Sequence, residues 1–332
     1  MTTEPNDAPR IRAAVIGYGE WGPNVARNAA LVAGCRLAAV CDLSRERLDA
    51  AGRSHPEAAR TRNWRALLDD PRIEAVMIAT PADTHFEIAL AALRAGKHVL
   101  IEKPLARTSE EARALLEESV RRRRVLMVDH TYVFSPAVGA LRGLLANGVA
   151  GQLRHIESWR LNPGHARADA GVHWDLASHD LSILDYLLAD EPVAVAAKRV
   201  SGAGRPLHAL DLRLAYTGSL AAEIHVSWVA PSKCRRIVIA GSAGTIVYDD
   251  LERTGKLRIH GARDQGDAVS VHDTTEPLFN VVGHFVDCIA SGRRPQSDGG
   301  MGARVVRLLE LADESLHRDG APIAHQAAGA CA

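Results

Sequence analysis

At 332 residues and 47% hydrophobic content, the chain is long enough to build two cores rather than one ordinary domain. Lys plus Arg and Asp plus Glu both number 40, a formal net charge of zero that excludes a basic nucleic-acid surface and an acidic tail. Five scattered cysteines (Cys35, Cys41, Cys234, Cys288 and Cys331), never at C-x-x-C spacing, exclude a disulfide framework and a structural zinc site, and no metal site is expected.

Residues 1–9 read as a flexible polar tail without an apolar signal segment, and no later run approaches a membrane span, so a soluble cytoplasmic protein with reduced thiols is expected. The run Ala13-Ala14-Val15-Ile16 fits a buried strand. Gly17, Gly19 and Gly22 follow at G-x-G-x-x-G spacing, with Tyr18, Glu20 and Trp21 between them, and a helix starts near Asn24. Strand before and helix after is the context in which such a loop holds a dinucleotide: Gly17 for the turn, Gly19 for close approach of the pyrophosphate, Gly22 for helix packing. A mere glycine-rich turn is the alternative. A second apolar run, 37–41, ends in Asp42, where the adenosine ribose is usually held. Asp42 favours NAD over NADP by repelling a 2′-phosphate, while Arg45 is placed to pair with one.

Ser44 caps a helix to about Arg53, residues 63–68 suit a short helix, and 74–80 is the next strand. Asp83, or Thr84 in a capping box with Glu87, opens a helix that stops at Gly96. Residues 97–101 form a strand, and Thr108 with Glu111 boxes the helix that ends in Arg121 to Arg124, cations at its negative end. Residues 125–128 close this half. Strands alternating with helices predict an α/β architecture, a Rossmann domain over 10–131.

The rhythm then changes. Helices are expected at 136–146 and 174–188, strands at 193–200, 207–216, 219–229, 235–240 and 245–249 with tight turns between them, and helices at 280–291 and 299–318. This predicts a C-terminal α+β domain over 132–332 with a large, mostly antiparallel, open-faced sheet. Covering that face predicts a homodimer or homotetramer.

Parallel strands deliver ligands at their carboxyl ends. Thr80-Pro81 to His85 follows the fourth strand and Glu102-Lys103-Pro104 the fifth, pointing at the crevice for a nicotinamide; ordinary solvated charges are the other reading of the latter. In the second half, Asp175 and His179 stand four apart on one helical face, where a carboxylate orients an imidazole. Alternatively, Asp175 caps the helix and His179 packs against a wall.

Taken together, G-x-G-x-x-G at 17–22, T-P-x-x-x-H at 80–85, E-K-P at 102–104 and D-x-x-x-H at 175–179 resemble, in order and spacing, the Gfo/Idh/MocA oxidoreductase family from Ile11 to about Arg318. The resemblance implies hydride transfer between nicotinamide C4 of NAD(P) and a secondary hydroxyl or ketone of a sugar. It places Lys103, with its pKa lowered by a partly dry cleft, between hydroxyl and nicotinamide, followed by a cis bond to Pro104, and it makes His179 the base with Asp175 behind it. Many members have glycine where this chain has Ala177 and aspartate where it has Ser182. The segments 17–24, 160–162 and 174–180 look like the UDP-N-acetylglucosamine 3-dehydrogenase-like subgroup, implying a nucleotide-linked amino sugar oxidised at C3. Arg160, Asn162, His165 and Arg167 would then line the pocket mouth, with Trp174 nearby; exposed polar residues on a strand and loop are the alternative. Rival readings are an inositol or aminocyclitol dehydrogenase and a non-catalytic, dinucleotide- or sugar-responsive regulator.

Overall fold

A computed structural model describes residues 11–164, 171–201, 207–261, 267–269, 271 and 273–325. The tail at 1–9, His165, Arg167 and Cys331 lie outside these residues. In chain order the elements are β1 (Ile11–Ile16), α1 (Gly22–Leu31), β2 (Cys35–Cys41), α2 (Arg45–Ser54), β3 (Ala59–Thr61), α3 (Trp64–Asp69), β4 (Ala75–Ile78), α4 (His85–Arg94), β5 (His98–Glu102), α5 (Ser109–Arg122) and β6 (Leu126–Asp129). Then follow α6 (Pro136–Ala146), β7 (Leu153–Leu161), α7 (Ser178–Leu188), β8 (Ala194–Ser201), β9 (Ala209–Ala215), β10 (Ala221–Ser227), β11 (Cys234–Gly241), β12 (Gly244–Asp249), β13 (Leu257–Gly261), β14 (Asp267–Val269), α8 (Pro277–Ser291), α9 (Gly299–His317) and β15 (Ile323–Ala324). The chain divides into two compact units, Met1–Thr131 with Thr275–Arg304, and Tyr132–Thr274 with Val305–Ala332. The segment Thr275–Arg304, expected in the C-terminal domain, therefore packs with the first unit. Among the described residues, no helix is long and apolar enough to cross a membrane.

The first unit is a parallel six-stranded sheet in the order β3-β2-β1-β4-β5-β6, the doubly wound order of a Rossmann fold. Ala13, Ala14, Val15, Ala75, Val76 and Met77 are wholly buried, as expected of strands covered by helices on both faces. The Ser44 and Thr108 caps form, accepting from the Arg47 and Glu111 backbone N–H groups. Glu111 reaches back to the N–H of Arg107, one residue before the cap. The box expected at Thr84 does not form. Thr84 is already in helical conformation, and its hydroxyl lies 2.7 Å from both Pro81 O and Thr80 Oγ1.

In the second unit, a nine-stranded sheet runs β14-β13-β12-β11-β7-β10-β9-β8-β15. It is antiparallel except where β7 lies parallel to β10. The face carrying Ile156, Ser158 and Arg160 is buried, with α7 over part of it through the bonds of Ser158 and Arg160 to Asp180. The opposite face carries Glu157, Trp159, Asp211, His225 and Arg236 and is polar rather than apolar. His225 pairs with Asp211 at 2.7 Å and stacks on Trp159 with ring centroids 5.6 Å apart. Residues 174–188 do not form one α-helix: His173–Ala177 is a π-turn from which α7 continues.

Candidate active site

The glycine loop has the shape a dinucleotide requires. Gly17 takes φ +95°, and a Cβ there would lie 2.5 Å from Ala79 O; one at Gly22 would lie 2.2 Å from Gly17 O. Both positions exclude a side chain for steric reasons. A Cβ at Gly19 would meet the Arg47 guanidinium at 3.6 Å and no backbone within 4 Å, so the chain is open on that side. No side chain caps the N-terminus of α1; Pro23 has no N–H and Asn24 N–H bonds Trp21 O, so it is the positive end of the helix dipole that faces an anion there. Uncapped helix, open Gly19 and tight Gly17 fit a pyrophosphate. Glu20 is exposed, and Trp21 is 41% exposed.

Asp42 at the end of β2 is buried and ties two loops. Its Oδ2 accepts the Tyr18 N–H at 2.7 Å and its Oδ1 the Ser44 N–H at 2.8 Å. Each oxygen keeps a lone pair, so a ribose hydroxyl still finds an acceptor. Arg45 is exposed on the first turn of α2. The cation that turns to this carboxylate is Arg47, 3.7 Å from Oδ2. Beside them opens a cavity of about 510 Å³ lined by Asp42, Ser44, Arg47 and Arg53 among others.

At the ends of β4 and β5 the sequence placed Thr80, Pro81, His85, Glu102, Lys103 and Pro104 around the cofactor. The Lys103–Pro104 bond is cis. His85 is only 1% exposed: one ring nitrogen lies 2.8 Å from Pro104 O and the other 2.9 Å from Thr80 O. It therefore ties the two loops together and does not present a nitrogen to a ligand, a correction to its expected cofactor contact. Burial lowers its pKa despite both carbonyls, so the neutral ring donates to one carbonyl at a time.

Glu102 and Asp129 are register partners on adjacent strands, their carboxyls within hydrogen-bonding reach of each other. Burial, reinforced by Asp129, holds the Glu102 carboxyl well above the usual range. Burial also raises Asp129, against donors at Thr131 and Trp21 that favour its charge. Glu102 Oε1 and Asp129 Oδ2 are enclosed and lack a donor, and neither ring nitrogen of His130 has a hydrogen-bond partner. Each buried acceptor left so costs about 1–3 kcal/mol. His130 is driven down to about 3 by burial and the charge of Lys103, which keeps it neutral.

In the second unit, Asp175 sits in the π-turn and His179 in the first turn of α7. Single-turn π-bulges recur at functional sites. Trp228 donates its indole N–H to Asp175 Oδ2 at 3.1 Å. The His179 ring meets Tyr132 edge-on, centroids 4.9 Å apart. Tyr132 in turn lies under two guanidinium groups, Arg160 at 4.3 Å and Arg235 at 5.4 Å. Arg160, expected at the pocket mouth, is 3% exposed and bonded to Asp180 at 2.6 and 3.2 Å, so it braces Tyr132 from within. Trp174 gives its N–H to Asp313 at 2.8 Å, and the Asn162 backbone joins Ser227 O. Ser182, standing where many relatives carry an acid, is buried and donates to His179 O at 2.7 Å.

Tyr132, Trp228, Arg235 and Asp129 belong to these sites without having been read from the sequence. Asp129 had a signal: like Asp42 and Glu102, it is an acid directly after a buried apolar strand. Tyr132 and Trp228 had none, since an aromatic at a strand end reads as core.

Residues 11–130 match the oxidoreductase family with NAD-binding Rossmann fold named for Gfo/Idh/MocA, and residues 138–247 match the Gfo/Idh/MocA C-terminal domain. UDP-N-acetylglucosamine 3-dehydrogenase of Acidithiobacillus ferrooxidans is 31% identical over 308 residues, 89% of this chain and 94% of that protein. The chain belongs to the Gfo/Idh/MocA oxidoreductase family. Residues 11–130 are that family's NAD-binding domain. A crystal structure of the same Acidithiobacillus enzyme superposes with TM-score 0.84 and 30% identity over 94% of this chain and 99% of that one. Levoglucosan dehydrogenase of Pseudarthrobacter phenanthrenivorans is 29% identical over 62% of this chain and 63% of its own length, so the match spans less than two thirds of that relative. An inositol dehydrogenase homologue from Azotobacter vinelandii, solved with NADH and myo-inositol, has TM-score 0.86 over 96% of this chain and 98% of that one; at 23% identity it attests the fold alone.

Proposed function

We propose that this oxidoreductase is an NAD-dependent dehydrogenase, or in reverse a ketoreductase, that acts on a secondary hydroxyl of a nucleotide-linked amino sugar at C3. What supports this reading is the end-to-end relationship to a UDP-N-acetylglucosamine 3-dehydrogenase, together with Lys103 at the end of β5 and the Asp175–His179 pair at the π-turn. A bound nicotinamide would take the hydride at C4. In this reading Lys103 relays the hydroxyl proton, and His179 serves as the base with Asp175, held by Trp228, behind its imidazole. General acid–base groups contribute about 10²–10⁴ in rate. Lys103→Met and His179→Asn should each lower kcat by that order in a stopped-flow NADH assay, and a Lys103→Met enzyme turning over at wild-type rate would remove the assignment.

Asp42 makes NAD the preferred cofactor over NADP. Fluorescence titration should give tighter binding of NADH than of NADPH, and the opposite order would overturn the preference. Self-association through the polar outer face of the nine-stranded sheet is part of the same proposal. Sedimentation should return a dimer or tetramer, and a monomer would contradict it.

One observation favours a second substrate, a free polyol such as an inositol or aminocyclitol. Arg160 is spent on Asp180 and Tyr132, which takes away one expected contact to a diphosphate. Thermal protection by UDP or dTDP supports the nucleotide sugar, and no shift with either supports the polyol.

A further inference from the structure

The geometry points to one proton shared between Glu102 and Asp129, which makes the two carboxyls a single negative charge beside Lys103. This rests on the reading of Lys103 as the group that receives the hydroxyl proton. Glu102 ends β5 and Asp129 ends β6, and as register partners in adjacent parallel strands they leave the sheet side by side. Glu102 Oε1 and Asp129 Oδ2 are both sealed from solvent with no donor. Two ionised carboxylates so placed would repel and leave both acceptors empty. A single proton held between them satisfies both.

The surroundings decide which carboxyl keeps the charge. Asp129 Oδ1 accepts the Thr131 hydroxyl at 2.7 Å, and the Trp21 indole further favours its ionised form. Glu102 is the partner that burial holds protonated. The charged or titratable groups around the pair are Lys103 and His130, with His85 also within reach of the Lys103 charge. Both histidines are kept neutral by burial and add no charge. Lys103 thus meets one fixed counter-charge across the neutral pH range. When it takes the substrate's hydroxyl proton as the hydride leaves for nicotinamide, its new positive charge is balanced by the pair, and no proton enters the pair.

Infrared spectroscopy of the unliganded wild-type protein at neutral pH tests the proton directly. A protonated-carboxyl C=O band that disappears in Glu102→Gln is expected, and its absence from the wild type overturns the proposal. The pH profile of kcat/KM for alcohol oxidation tests the charge. Glu102→Gln mimics the protonated partner and should leave the acid limb in place. The double variant E102Q/D129N should move that limb down by about one pH unit, as removal of one neighbouring anion does. A shift of that size already in Glu102→Gln would mean two charges and overturns the pair. If Lys103→Met kept its turnover while the infrared band persisted, the reading of Lys103 would fall and the shared proton would stand.

Discussion

At the residue scale, the two motifs that announce the family carry different loads. Lys103 directly follows β5, and its role rests on chemistry; His85, the first residue of α4, holds that chemistry in place. Replacing His85 with Phe removes the one ring N–H that Thr80 O and Pro104 O share. The expected cost is about 1–3 kcal/mol for that lost bond, read by urea denaturation, together with weaker NADH binding because both cofactor loops loosen. An unchanged midpoint would show that the tie is idle. From the sequence alone, His85 was assigned to the right loop and the wrong partner. Spacing says which loop a side chain leaves, but whether it turns to a ligand or to a neighbouring carbonyl is decided by backbone five or nineteen positions away. Arg160 shows the same limit: a strand arginine reads as exposed until a buried acid, here Asp180 on α7, is found opposite.

At the element scale, local signals served well where the structure is local. The glycine loop, the Ser44 and Thr108 caps and most strands of the parallel sheet follow from short-range chemistry, and they form as read. β7 escaped because its inward positions are Ile156, Ser158 and Arg160, a pattern whose polar half is bought by long-range bonds to Asp180. The π-turn escaped because no composition marks it. The Arg160–Asp180 pair is 4% and 1% exposed at its two side chains, and removing one partner strands the other's charge. Arg160→Leu should destabilise the protein by about 3–5 kcal/mol, while R160L/D180L should recover much of that loss. Equal losses in single and double variants would show that the pair is not coupled.

At the scale of the whole molecule, the described histidines whose pKa burial lowers fall in one unit. His85, His98, His130 and His284 all lie in the first and are all held below their ordinary range by burial. For His130 the free value is 6.5 and the folded one about 3, so below pH 6.5 the unfolded chain takes a proton that the fold refuses. Its contribution is complete above pH 6.5 and is lost as pH falls, roughly 3 kcal/mol by pH 4. Acid titration followed by circular dichroism should show the protein failing in that window, with His130→Asn failing at lower pH. An unshifted acid midpoint in the variant would refute this.

The return of residues 275–304 to the first unit sets an order on biosynthesis. β6 is the last strand of its sheet, and its outer edge is taken by Asp298 opposite Met127 and by Ser297, which exchanges two bonds with Val128. A nascent chain that has reached only residue 131 therefore displays a bare sheet margin, and it does so until Ser297, 169 residues beyond Val128, has left the ribosome. The fragment 1–131 made alone should precipitate, and a peptide spanning 275–304 supplied in trans should restore its solubility.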